Sequence, residues 1–323
     1  MCKNEAETTT LTSEQKLYQE RLNRVETAIH LGTPDKVPVF AFFSSYMQRA
    51  YGSSYADIYY DFDKAGQAAV QFHKDHPQLD IGLYPRFTSG KANEIAGSSM
   101  IDWPGRPGTR VSPYSSHQII ERELMLPEEY PEMLNDFTGF MLRKYIPRAY
   151  QNLPGTAGLQ LTPTIVLNTT FLSPCYSDEV QETFQKIRQI GEEDAKAAAA
   201  SAKYSKILEQ MGFPPMMTGS SEAPYDILGD YFRGTMGIFE DLTDPDMAEA
   251  KRVLGDTAAI CGNLSISRME FGKKEDIIEE TKRLLDVCAP GGGYLFDFNG
   301  SLENCKPENL DAMFETLDKY GKY

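Results

Sequence analysis

Short apolar runs of β type alternate with longer stretches of helical period, and this alternation constrains the fold more than any other feature of the chain. The runs are 35–43 (DKVPVFAFF), 79–86 (LDIGLYPR), 214–221 (PPMMTGSS), 257–263 (TAAICGN) and 291–299 (GGGYLFDFN). Strands that alternate with helices form parallel βαβ units, with helices covering the strands. In such folds the chemistry sits at the C-terminal ends of the strands. Those ends are Phe43–Ser45, Tyr84–Arg86, Gly219–Glu222, Gly262–Asn263 and Asp297–Asn299.

The stretches between carry helix signals. Thr12 and Gln15 form a T-x-x-Q capping box, with Leu22, Val25 and Ile29 on the apolar face and Gly32 as the stop. Residues 63–73 and 127–150 read as helical, the latter broken by Pro147. Ser177 caps a long helix to Met211, with Gly212 after it. Residues 223–239 also read as helical. Asp244 and Pro245 give an N-cap and N1 pair, with Gly255 as the stop. Helices are expected over 274–288 and, opened by Pro307, over 307–320. Residues 87–130, rich in Gly, Pro and Ser, read as an irregular excursion or a hairpin. A second irregular stretch covers 152–176, and residues 1–11 read as a disordered tail.

The charge balance narrows the functions. Thirty-two Lys and Arg stand against 47 Asp and Glu, a net charge of −15, with no basic stripe. Nucleic acid and an anionic membrane surface are therefore not expected partners. No apolar run approaches the ~18 residues that span a bilayer. The five cysteines (Cys2, Cys175, Cys261, Cys288 and Cys305) show no CxxC spacing. Reduced thiols and a cytoplasmic location follow as expectations.

Several segments, in order, resemble one family. "RVETAIHLGTPDKVPVF", "WPGR" followed by "HQIIERELMLPEEY", "SEAPYDILGDYFRGTMG", "AICGNLS", "CAPGGGYLF" and "KPENLDAMFETLDKYGKY" are similar to segments of the uroporphyrinogen decarboxylase superfamily. The likeness is to an anaerobic branch related to corrinoid-linked methyltransferases, and it covers about residues 20–323. The resemblance implies a TIM (β/α)8 barrel. Only five strands are found here, so the barrel is expected to be incomplete, one domain over 12–323 with a deletion junction at 240–244.

Residue by residue, the resemblance implies altered chemistry. Phe43 and Met47 stand where the decarboxylase has arginines, with Arg49 nearby but off register. Arg86 takes the place of its central aspartate. Asp230, with Tyr231 adjacent, takes the place of its tyrosine, and Asn299 that of its histidine. The methyltransferases' H-x-C zinc motif is missing, and Cys305 is a poor substitute for their later cysteine. No metal and no resident cofactor are expected. His73 and His76, one helical turn apart, read as a solvated helix end before Pro77.

The candidate catalytic residues are therefore Asp230, Tyr231 and Asn299; the candidate substrate-binding residues are Arg86, Gln118, Asp226, Arg233 and Asp297. Arg86 offers a bidentate cation or a surface ion pair. Asp226, Asp230 and Arg233, at i, i+4 and i+7, share a helix face as a salt-bridge network or an acid–base pair; Glu222 belongs to the same motif. Asp297 and Asn299 lie on one side of a strand, pointing into the mouth or packing and capping a loop. Gln118, Glu121 and Glu123 line a pocket or edge a hairpin. The function implied is tetrapyrrole or corrinoid one-carbon chemistry, by a carboxy-lyase or methyltransferase acting on a small molecule, as a homodimer. The alternative is a non-catalytic remnant that pairs with a corrinoid protein or a paralogue.

Overall fold

The computed structural model describes residues 11–159, 169–215 and 246–323. Where the sequence suggests one domain over 12–323, the chain forms two compact units. One comprises residues 1–52, 67–85 and 203–323, the other residues 53–66 and 86–202. The second unit encloses its own core around Trp103, Phe140, Ala149 and Leu153.

In the first unit the helix Ser13–Ile29 opens as its capping box dictates. The Thr12 hydroxyl accepts the Gln15 N–H, and the Gln15 side chain accepts the Thr12 N–H. It ends at His30, and Leu31, at φ 63°, makes the left-handed turn expected of Gly32. Four of the five expected strands are present as extended segments, some joined by a few bonds only; of the third, 214–221, only Pro214 and Pro215 lie within the described residues. Gly82 pairs in parallel with Pro215. Asp80 N–H donates to the Val39 carbonyl at 3.0 Å, and Val39 pairs in parallel with Phe296. The strand Tyr294–Leu295 pairs in parallel with Ile260–Cys261. The order across this sheet is therefore 213–215, 79–83, 37–43, 294–298, 259–264, with the first strand of the chain beside the last. The same order would run across the seam of a barrel; the described residues by themselves form no closed barrel. The expected junction at 240–244 lies outside the described residues.

Side chains alternate across the sheet with period two. Val39, Phe43, Tyr294, Phe296 and Phe298 join one core cluster with Phe72, Leu284, Met313, Phe314 and Leu317 from three helices, Phe62–Asp75, Lys274–Cys288 and Pro307–Tyr320. Each such buried side chain contributes roughly 1.5–3 kcal/mol. The opposite face begins apolar. Phe40, Ile81, Ala259, Cys261 and Leu295 pack with Val25, Ala28 and Ile29 of the first helix. Asp297 and Asn299 follow Leu295 on that face, towards the strand ends.

The helices Lys274–Cys288 and Pro307–Tyr320 begin and end as read from the sequence. The long helix spans Asp178–Gln210, with Gly212 at φ +83° ending it. The helix Met247–Leu254 is capped by Asp246, whose carboxylate accepts the Ala248 and Glu249 N–H groups. The proposed cap pair Asp244–Pro245 lies outside the described residues.

In the second unit Trp103 is fully enclosed, and its indole N–H donates to the Tyr60 hydroxyl at 2.9 Å. That hydroxyl donates in turn to Glu94. Ile101–Asp102 and Gln118–Ile119 pair antiparallel. Residues 127–149 form a run of short helical segments instead of one broken helix, with Pro147 in the first turn of Ile146–Ala149. Among the described residues, no helix is long and apolar enough to cross a membrane.

Candidate functional site

The polar strand ends of the first unit converge on Asp297. Its side chain is fully buried. A bulge in the first strand aims a donor at it. The N–H groups of Phe40 and Ala41 both point to the Phe296 carbonyl, and Ala41 takes φ 33°. The next N–H, that of Phe42, donates to Asp297 Oδ1 at 2.7 Å; the Phe298 N–H donates to the same oxygen at 2.7 Å. Among the described residues, Oδ2 meets only the Cys261 thiol, at 3.7 Å. Burial pushes the carboxyl up to about 7, against the two N–H donors and the thiol, which pull it down. Burial thus brings Asp297 towards the range in which a carboxyl can give or take a proton near neutral pH.

Asn263 stands beside it. The pairs Ile260 with Tyr294, Cys261 with Leu295 and Leu264 with Phe298 share one register, which sets Asn263 level with Asp297 on the adjoining strand. Asn263 is fully buried, and neither its amide nitrogen nor its amide oxygen has a hydrogen-bond partner. The sequence reading placed Asn263 at a strand end but gave it no role. The signal was a polar residue closing an apolar run; its partner across the sheet depends on a register that no local pattern encodes.

The other expected site residues disperse. Asn299 is buried, and its Oδ1 accepts the Ile266 N–H at 3.0 Å, so it holds the first turn of the helix Ile266–Phe271. Of the two sequence readings, loop capping describes it. Arg86 is exposed and falls in the second unit. Gln118 is exposed on the antiparallel pair, donating to the Ser116 carbonyl at 3.4 Å, and Glu121 and Glu123 are exposed just beyond. All three edge a hairpin. Glu222, Asp226, Asp230, Tyr231 and Arg233 lie outside the described residues.

The histidine pair is not a solvated helix end. His73 is fully enclosed, with Nδ1 on the Ala69 carbonyl at 2.7 Å and Nε2 accepting the Leu83 N–H at 3.0 Å. Burial pushes it down to about 4, helped by the nearby Arg21 charge and opposed by the Ala69 bond. His76 stacks on Phe314 and packs on Phe72. The helix keeps its inward face to its last turn because the strand at 79–83 turns straight back beneath it.

Cys305 is buried, and burial pushes its thiol up to about 12, away from nucleophile or metal ligand. None of the four described cysteines is in a disulfide. Among the described residues no three His, Cys, Asp or Glu side chains cluster to hold a metal. The second unit has a cavity of about 430 Å³ with an apolar wall that includes Ala92, Ala96, Ile146, Leu153 and Ile190. None of the expected site residues lines it.

Comparison with known proteins converges on the same segment. The model of the uroporphyrinogen decarboxylase (URO-D) family matches residues 234–320, which include Asn263, Asp297 and Asn299. No curated protein matches the chain. Among solved structures, a methyltransferase from Methanosarcina mazei is similar over 93% of this chain and 98% of that one, at 13% identity and a TM-score of 0.46. A likeness at that level carries no argument about activity. What the comparisons show is a likeness to the uroporphyrinogen decarboxylase family confined to residues 234–320, about a quarter of the chain.

Proposed function

We propose that the chain is an enzyme of its family's chemistry, a carboxy-lyase or a corrinoid-dependent methyltransferase, with Asp297 as the group that moves a proton. The observation that carries this reading is a fully buried carboxyl at a strand end whose acid strength lies near neutrality. Both reactions need such a group. In decarboxylation the carbon–carboxyl bond breaks, its electron pair stays on carbon, and an acid supplies a proton there. In methyl transfer from a methylcorrinoid to a thiol, the carbon–sulfur bond would form as the cobalt–carbon bond breaks with its electron pair left on the corrinoid, and a base would take the thiol proton. The small-molecule substrate, a tetrapyrrole or a thiol, the corrinoid protein as partner, a homodimer and a cytoplasmic location belong to the same proposal. It assumes a completed barrel around the parallel strands.

Two assays test it, on full-length chain shown to be folded. One follows coproporphyrinogen formation from uroporphyrinogen III, the other methyl transfer from methylcobalamin to a thiol. Product in one of them is expected, falling by about a hundredfold or more in Asp297→Asn. Absence of both products would favour the non-catalytic binding reading. Undiminished turnover in the variant would remove Asp297 from the mechanism.

A further inference from the structure

The amide of Asn263 is shut away from water with its donors and its acceptor both unmatched. A buried amide left so costs stability, whereas a leucine would occupy the place without that cost. The same strand face is filled by Leu295, Phe40 and Cys261 nearer its N-terminal end, so an apolar side chain would fit the pattern. The amide and the Asp297 carboxyl sit level on adjoining strands, at the end where ligands enter parallel α/β sheets. Resting on the reading of this face as the substrate site, we propose that Asn263 is its ligand-reading residue. Its amide pairs with an uncharged donor–acceptor edge of the small molecule, a carboxamide or a lactam.

A donor–acceptor edge satisfies both halves of the Asn263 amide at once. A carboxylate has no donor for Oδ1 and would approach Asp297. The two arginines placed on this unit by its first helix are already engaged at the other end of the strands. Arg21 donates to the Gly212 and Pro77 carbonyls, and Arg24 to Asp35 and Asp80.

Ligand-observed NMR titration of the full chain at neutral pH tests this with four probes: propionamide, 2-pyrrolidinone, sodium propionate and cyclopentanone. The two amides are expected to bind saturably, with dissociation constants on the order of millimolar for molecules so small. Propionate, with no donor, and cyclopentanone, with an acceptor only, are expected to bind about tenfold more weakly or not at all. Asn263→Leu should lose the amide response and, without ligand, melt above the wild type. Asn263→Ala should lose the response too, and serves if the leucine variant does not fold. Asp297→Asn should keep the amide response while losing turnover, which separates failure of this inference from failure of the proposed reaction. No amide binding to the wild type, equal binding of propionate, or an unchanged response in Asn263→Leu would overturn the assignment. So would a folded leucine variant that melts below the wild type, which would give the amide to a buried water.

Discussion

Asp297 and His73 are both enclosed in the first unit, and burial moves their acid strengths in opposite senses. Asp297 rises to about 7. Below about pH 4 it is protonated in native and unfolded chains alike. Between about pH 4 and 7 the unfolded chain loses the proton and the native chain keeps it, so native stability falls as pH rises, by about 4 kcal/mol in all. His73 falls to about 4. Its contribution is full above about pH 6.5 and is lost as pH falls towards 4, by about 3 kcal/mol. The two slopes oppose each other in the wild type. Asp297→Asn should therefore gain stability over the wild type as pH is raised from 4.5 to 8, measured by urea unfolding at both ends; a constant difference would place the carboxyl in its ordinary range. His73→Leu leaves the Leu83 N–H unsatisfied. It should cost about 1–3 kcal/mol at pH 8, a deficit that narrows towards pH 4.5.

At the scale of elements, single side chains tie segments that are distant in sequence. Arg21, on the first helix, donates to the Gly212 carbonyl at 2.8 Å and the Pro77 carbonyl at 2.7 Å, and its guanidinium lies 3.8 Å above the Phe213 ring. It thus pins the ends of two strand connections to one helix. Arg21→Ala would leave two carbonyls unmatched and is expected to cost about 2–4 kcal/mol, read from chemical denaturation. In the second unit Gly155 N–H donates to the Thr183 hydroxyl at 3.1 Å, and a Cβ at residue 155 would run into the Glu179 carbonyl and that same hydroxyl. Gly155→Ala should therefore push the segment Pro154–Gly158 off the long helix and cost about 1–3 kcal/mol. A melt unchanged within error would contradict that close approach.

For the whole molecule, the strand order matters most. The described arc ends at 213–215 on one side and 259–264 on the other, and among the described residues neither outer edge has a strand beside it. The proposed homodimer predicts a solution mass twice 36.3 kDa by light scattering; a monomer at all concentrations would withdraw it.

Much of this was legible in the chain itself. Helix boundaries such as Ser13, Gly212, Lys274 and Pro307 follow from local rules of capping, backbone freedom and ring geometry, which act within a few residues. Four of the strands and the family likeness of residues 234–320 were likewise readable, because apolar period and motif order are written along the sequence. What tertiary structure alone decided is which residues meet. His73 read as solvated because its neighbour Leu83 lies on the next element. The bond that Asn299 accepts from the Ile266 N–H comes from 33 residues away. Asn263 and Asp297 come level only through the register of two parallel strands. Register, burial and acid strength depend on distances between segments separated along the chain, and these are fixed by packing of the whole unit, beyond the reach of any local pattern.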